Sequence, residues 1–123
     1  MGIVQKKTLI LGASLNESRY SNKAIKKLVQ FNFDVLAIGK KEGEVCGVEI
    51  KNSISNNIKI HTLSIYLSPS NQIDYINFIL KLFPHRIIFN PGAENPELYN
   101  LFSSKGINCE NSCTLVLLST KQY

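Results

Sequence analysis

Tryptophan is absent, methionine occurs once, and only two of the fourteen basic residues, Arg19 and Arg86, are arginine. No Lys/Arg-rich run is interleaved with aromatic residues, which argues against a nucleic-acid partner. No apolar run approaches the ~18 residues needed to span a bilayer. The opening stretch, Met1 to Lys7, lacks the apolar core of a signal peptide and the Ser or Thr at position 6 of a myristoylation signal. Cysteine is scarce too. Cys46, Cys109 and Cys113 cannot all pair, and a chain of 123 residues with 44% hydrophobic residues needs no covalent staple. They read as reduced thiols, which sets the expectation of a cytoplasmic protein. Cys109 and Cys113 have no further cysteine or histidine at metal-ligand spacing, so no metal site is expected and the pair reads as small apolar residues.

What is present suits one domain over residues 1–123, without internal repeats or low-complexity segments. The formal charge is +5, and its distribution says more than its total. Residues 1–60 carry ten Lys/Arg and five Asp/Glu, whereas residues 61–123 carry four of each. The whole surplus therefore lies in the first half, where it fits an anionic ligand as well as solubility.

Hydrophobic periodicity alternates along the chain. Thr8 to Leu11, Asp34 to Ile38, Leu63 to Leu67, Arg86 to Phe89 and Ile107 to Cys109 read as five buried strands. Between the first two, Ala24, Ile25, Leu28 and Val29 recur at helical spacing, with Ser21 as the expected cap. Residues 40–62 read as a polar connecting excursion with short β-prone pieces at Val45-Cys46 and Val48 to Ile50. Ser68-Pro69 opens a helix with Ile73, Ile76, Ile79, Leu80 and Phe83 as its buried stripe, stopped by Pro84. Asn95-Pro96-Glu97 starts another, with a cap, a proline at the first position and an acid on the positive dipole end. Leu98, Leu101 and Phe102 face inward, and Gly106 ends it. For Thr114 to Leu118 the pattern does not separate helix from strand. The alternation predicts a Rossmann-like, doubly wound α/β fold: a parallel five-stranded sheet in the order 3-2-1-4-5 with helices on both faces.

Such a sheet binds ligands beyond the carboxyl ends of its strands, where the strand order reverses. Four loops meet there: Gly12 to Ser21, Gly39 to Gly43, Leu67 to Pro69 and Asn90 to Asn95. The first leads into a helix N-terminus, whose N–H groups and dipole suit phosphate. Ser14, Asn16 and Ser21 add neutral donors, and Arg19 adds a planar cationic fork. The dinucleotide fingerprint G-x-G-x-x-G is absent, since no glycine follows Gly12 until Gly39. An NAD site usually has an acid at the end of its second strand. Here Gly39-Lys40-Lys41 stands instead, which favours a ribose-phosphorylated nucleotide such as coenzyme A or NADP.

Several motifs, taken in order, resemble a family. They are Gly12-Ala13-Ser14, Asn16, Arg19-Tyr20-Ser21, the strand-two end, Glu44-Val45-Cys46-Gly47-Val48, Asn90-Pro91-Gly92-Ala93-Glu94-Asn95-Pro96-Glu97, and Glu110-Asn111-Ser112-Cys113. From Lys7 to about Leu118 the chain is similar to the small stand-alone CoA-binding domain proteins of bacteria, which are Rossmann-fold relatives of the CoA-binding domain of succinyl-CoA ligase α subunits. The resemblance implies coenzyme A as ligand. Its pyrophosphate would sit on Gly12, Ala13 and Ser14, with Asn16, Arg19, Tyr20 and Ser21 nearby. Gly39 and Lys40 would lie by the ribose 3′-phosphate, Leu67, Ser68 and Pro69 by the adenine or pantetheine path, and Asn90, Gly92 and Ala93 on the far side. Two features depart from the family. Gly39-Lys40 replaces the usual Asn-Pro, and Tyr66-Leu67 replaces the common Phe-Arg, so one cationic contact is missing.

No catalytic set assembles on that edge. His61 and His85 precede their strands and belong to the opposite, amino edge. Glu94 already has a structural reason as a helix-entry acid, and Cys113 reads as a packed small residue. The ligases' phosphorylated histidine lies in a later domain that this chain lacks. The expectation is a coenzyme A-binding module without evident catalysis; the alternative is an NADP- or other nucleotide-dependent enzyme or redox sensor using the same cleft.

Overall fold

The computed structural model describes residues 6–123, so the readings on Met1 to Gln5 lie outside the described residues. Along the chain run β1 (Thr8–Leu11), α1 (Tyr20–Gln30), β2 (Val35–Ile38), β3 (Gly43–Val45), β4 (Val48–Lys51) and β5 (Thr62–Ile65). There follow α2 (Pro69–Gln72), a 3-10 turn (Ile73–Tyr75), α3 (Ile76–Leu82), β6 (Arg86–Phe89), α4 (Pro96–Ser104), β7 (Asn108–Asn111) and α5 (Thr114–Ser119).

The seven strands form one sheet in the order β3-β4-β2-β1-β5-β6-β7. This corrects the expectation of five strands in the order 3-2-1-4-5. The polar excursion is itself a hairpin: β3 and β4 pair antiparallel across Cys46-Gly47, at φ 50 and 83. Two consecutive positive φ values are what a two-residue hairpin turn needs to match strand twist. Inward Val45, Val48 and Ile50 alternate with outward Glu44, Glu49 and Lys51, the pattern of a half-buried strand pair. β4 then pairs parallel with β2 and occupies the outer place expected for the segment at Leu63. That segment, β5, lies on the other side of β1 instead. The parallel strands β4-β2-β1-β5-β6-β7 thus follow the order of a dinucleotide-binding fold, reversing between β1 and β5.

β1, β2, β5 and β6 lie at the centre of the sheet, and all but two of their residues are buried. Alternate residues feed two cores, as the two-residue side-chain period of a strand requires. Leu9, Leu11, Leu63, Ile65 and Phe89 pack with Ile79, Leu98 and Phe102 on the α3/α4 face. Ile10, Ala37 and Ile88 pack with Ala24, Ile25, Leu28 and Leu118 on the α1/α5 face.

Two local expectations need correction, and one open assignment is decided. α1 begins two residues early, its N-cap is Arg19 rather than Ser21, and no side chain caps it. The helix opened by Ser68-Pro69 is broken by the 3-10 turn, which shifts its phase. Ile73 is therefore left 61% exposed and Phe83, in the left-handed cap after α3, 53% exposed. Thr114 to Ser119 is a helix. By contrast Asn95 caps α4 as its residue type suggests, its side chain accepting from Leu98 N at 3.2 Å, with Pro96 at the first position. Among the described residues no helix is long and apolar enough to cross a membrane, and all three cysteines are unpaired.

Candidate functional site

Register fixes where the loops meet. Leu11 aligns with Ile38 and Ile65, and Ile65 with Phe89, so the chain leaves β1, β2, β5 and β6 at one level. Above that edge lies a cleft of about 1100 Å³.

The β1–α1 loop is locked from below. Gly12 has φ +100, and a Cβ there would lie 3.1 Å from Leu67 N and Tyr66 C. Gly12 N and Ala13 N both donate to Ile38 O, at 2.9 and 2.8 Å. These two N–H groups are thus consumed inside the sheet edge and are not free for phosphate, contrary to the simplest reading of a Gly-Ala-Ser loop. Beyond them the loop is held by its own short polar side chains. Ser14 Oγ accepts from Asn16 N at 3.0 Å, and Asn16 Oδ1 accepts from Ser18 N and Ser18 Oγ at 3.0 and 2.8 Å. Asn22 Nδ2 reaches back from α1 to Ser14 O at 2.9 Å. α1 therefore enters the cleft with its first N–H groups uncapped by any side chain, the arrangement that accepts anions most readily.

The second loop presses on the first. A Cβ on Gly39 would lie 2.4 Å from Ala13 O, so only glycine passes there. Asn52 Nδ2, at the end of β4, holds Gly39 O and Lys40 O at 3.3 and 2.9 Å. Leu15 in turn rests on Gly43, where a Cβ would meet Leu15 Cδ2 at 2.7 Å. The hairpin β3–β4 is thus the platform under both loops.

Of the residues singled out from the sequence, Gly12, Ala13, Ser14, Asn16, Arg19, Tyr20, Ser21, Gly39, Lys40, Leu67, Ser68 and Gly92 line the cleft. Pro69 is exposed in the first turn of α2, outside the lining. Asn90 and Ala93 are buried, at 1% and 2% exposure. The Asn90 amide is engaged inside the protein: Nδ2 donates to Ser64 Oγ and Ile65 O at 2.8 and 2.9 Å, and Oδ1 accepts from Thr114 N at 2.9 Å. Ala93 O accepts from Gln72 Nε2 at 2.7 Å, which also donates to Leu67 O at 2.9 Å. Gln72 therefore ties the third loop to the fourth.

Asn71, Asp74 and Tyr75 also line the cleft, and sequence reasoning missed them. Their signal was the spacing i, i+3, i+4 just after a helix start already assigned to the cleft edge. Tyr66 lines it as well; its hydroxyl is buried with no partner, and burial pushes the phenol well above its ordinary value.

The electrostatics are one-sided. Arg19, Lys40 and Lys41 line the cleft, and among the described residues none of them forms an ion pair. Lys7, Lys26 and Lys51 are paired with Asp34, Glu17 and Glu49, at 3.6, 2.9 and 4.0 Å. Among the described residues Asp74 is the one acidic member of the lining, and no imidazole or thiol is part of it. His61 and His85 sit at the opposite edge, just before β5 and β6. A cleft with an uncapped helix start, serine hydroxyls and three cations can hold a polyanion.

No curated protein matches the chain. A crystal structure of an uncharacterized protein is similar over 98% of this chain and 100% of its own, at 41% identity and a TM-score of 0.93. The cell-free ID.343 protein from Thermus thermophilus is 22% identical, with a TM-score of 0.83 over 97% of this chain and 91% of that one. The apo form of a dinucleotide forming acetyl-coenzyme A synthetase 1 from Ca. Korarchaeum cryptofilum shares the fold, at 15% identity and a TM-score of 0.71, over 87% of this chain and 26% of that one. The family described as CoA binding domain matches residues 6–119, nearly the whole length, and the chain belongs to that family.

Proposed function

We propose that the cleft binds coenzyme A, free or as an acyl thioester, and that the protein acts as a binding module. The observation that carries this reading is the meeting of the uncapped α1 N-terminus with Arg19, Lys40 and Lys41 in one cleft. A pyrophosphate and a separate ribose phosphate, facing three cations and a helix start, are complementary in kind and charge. The pyrophosphate lies over Ser14 and the first turn of α1. Gly12 and Ala13 contribute closeness of approach rather than donors, since their N–H groups are taken by Ile38 O. Lys40 faces the ribose 3′-phosphate, with Lys41 beside it. Leu67 and Ser68 border the path of the adenine or the pantetheine arm, and Asp74 favours a hydrogen-bond donor there over a further negative charge.

The Lys40 contact decides between ligands. A charge-assisted hydrogen bond is worth roughly 1.5–3 kcal/mol when partly desolvated and about 0–1 kcal/mol when exposed. Calorimetry with coenzyme A, dephospho-coenzyme A, NADP and NAD tests this. Coenzyme A is expected to bind about tenfold or more tightly than dephospho-coenzyme A, a difference of ~1.4 kcal/mol. Lys40→Ala should abolish that difference while leaving dephospho-coenzyme A affinity nearly unchanged. Preference for NADP over coenzyme A would overturn the reading in favour of a nucleotide-dependent enzyme or redox sensor.

A further inference from the structure

A second concavity, of about 750 Å³, opens at the other end of the sheet. It lies between the segment running into β5, the turn from α3 to β6, and the residues leading into β7. At its centre two imidazoles face one another, His61 and His85, with ring centroids 4.8 Å apart. His61 Nδ1 is held on Thr62 Oγ1 at 2.8 Å, leaving Nε2 as its free nitrogen.

Positive charge dominates the surroundings. Lys7 and Lys59 stand on the wall, and among the described residues no acidic side chain lines it. His85, Arg86 and Lys6 all bear on His61 as positive neighbours. Asp34 is paired with Lys7 at 3.6 Å and Glu110 with Arg86 at 3.9 Å. Burial and these cations hold His61 below its ordinary value. A metal cation entering here would meet the same repulsion, whereas an anion would relieve it.

The rim supplies the second observation. Phe83 sits at φ 47 and ψ 63, a left-handed cap position that glycine usually fills, and its ring remains 53% exposed on the cavity wall. A strained residue of this kind persists only where the surrounding structure dictates it, and such positions gather at ligand sites. Its effect is to set an aromatic ring on the same cavity wall as the imidazole pair.

We propose that this cavity is a second ligand site for a small organic anion, with the charged head on His61 and His85 and an apolar body against Phe83. Binding draws protons onto the imidazoles, so it weakens as pH rises through their titration range. Lys59, on the wall, adds to the positive field.

Benzoate, whose charge is constant between pH 6 and 8, is the probe, and the imidazole resonances of the intact protein are the readout. Benzoate is expected to raise the titration midpoint of His61, to perturb the His85 resonances, and to bind about fivefold or more tightly at pH 6 than at pH 8. Lys59→Ala, an exposed change that leaves the core intact, should weaken it about threefold. Midpoints identical in benzoate and chloride would overturn the site. Equal effects of sulfate and benzoate would overturn the part assigned to Phe83. Because the readout lies at the edge opposite the carboxyl-end cleft, its failure is distinguishable from failure of coenzyme A to bind.

Discussion

Replacing Gly39 with alanine probes the joint on which the cleft is built. The added methyl would stand 2.4 Å from Ala13 O and 2.9 Å from Ile50 Cγ2, whereas ordinary contact begins near 3.4 Å. The overlap with the carbonyl is about 1 Å, and that carbonyl is not free to retreat. Gly12 N and Ala13 N, on either side of the same turn, are fixed to Ile38 O at 2.9 and 2.8 Å. Overpacking against mobile side chains costs about 1–3 kcal/mol, and contact with fixed backbone belongs in the upper half of that range. With an unfolding entropy of about 2.1 cal/mol/K per residue, a loss of about 2–3 kcal/mol lowers Tm by about 8–12 °C. Gly92→Ala is the matched control. It lies at φ +91 with nothing within 4 Å of the added carbon, so it carries only the dihedral cost of about 1 kcal/mol. Thermal unfolding followed by circular dichroism compares the two. A Gly39→Ala protein melting within about 2 °C of the parent, or above Gly92→Ala, would refute the claim that the first two loops are locked backbone to backbone.

Two further outcomes follow from buried groups. Asn90→Ala removes the side-chain bonds to Ser64 Oγ, Ile65 O and Thr114 N and leaves the buried Thr114 N–H without its acceptor; a stability loss of about 3 kcal/mol is expected in urea unfolding, and less than 1 kcal/mol would mean that Asn90 does not brace the fourth loop. His61 has a folded-state value below its ordinary one, so the unfolded chain takes up the proton first. Its contribution to stability is therefore present above the ordinary histidine value and is lost as pH falls through and below it. His61→Gln should flatten the fall in the urea midpoint between about pH 7.5 and 5.5, and an unchanged pH dependence would contradict the assignment.

Much of this architecture is legible in the sequence because the central strands are buried on both faces. Thr8-Leu9-Ile10-Leu11 and Ile87-Ile88-Phe89 read as strands without help from context, since every position is apolar or satisfied in the sheet. Asn95-Pro96-Glu97 is equally plain, because its cap and proline act locally. The hairpin was harder. Its strands have three and four residues, and half of their side chains are charged. Only the Cys46-Gly47 turn and the alternation on either side mark it, and the strand order changes with it. In the site, the β1–α1 loop and Lys40 could be read from residue type and spacing. The consumption of the Gly12 and Ala13 N–H groups could not, since it depends on how far β2 extends beside β1. Asn90 is polar at a strand end and so resembles a ligand contact, yet the structure spends its amide on three internal bonds. Gln72 illustrates the converse: a buried polar residue in a helix, joining two loops that are distant in sequence.

The most direct test of coenzyme A binding at the carboxyl edge is amide chemical-shift mapping of the isotopically labelled protein during titration with coenzyme A. The largest changes are expected at Ser14, Tyr20, Ser21, Asn22 and Lys40, with the Ile38-bonded amides of Gly12 and Ala13 moving less. Saturable binding whose largest changes fall instead around His61 and His85, or no change at millimolar ligand, would contradict it.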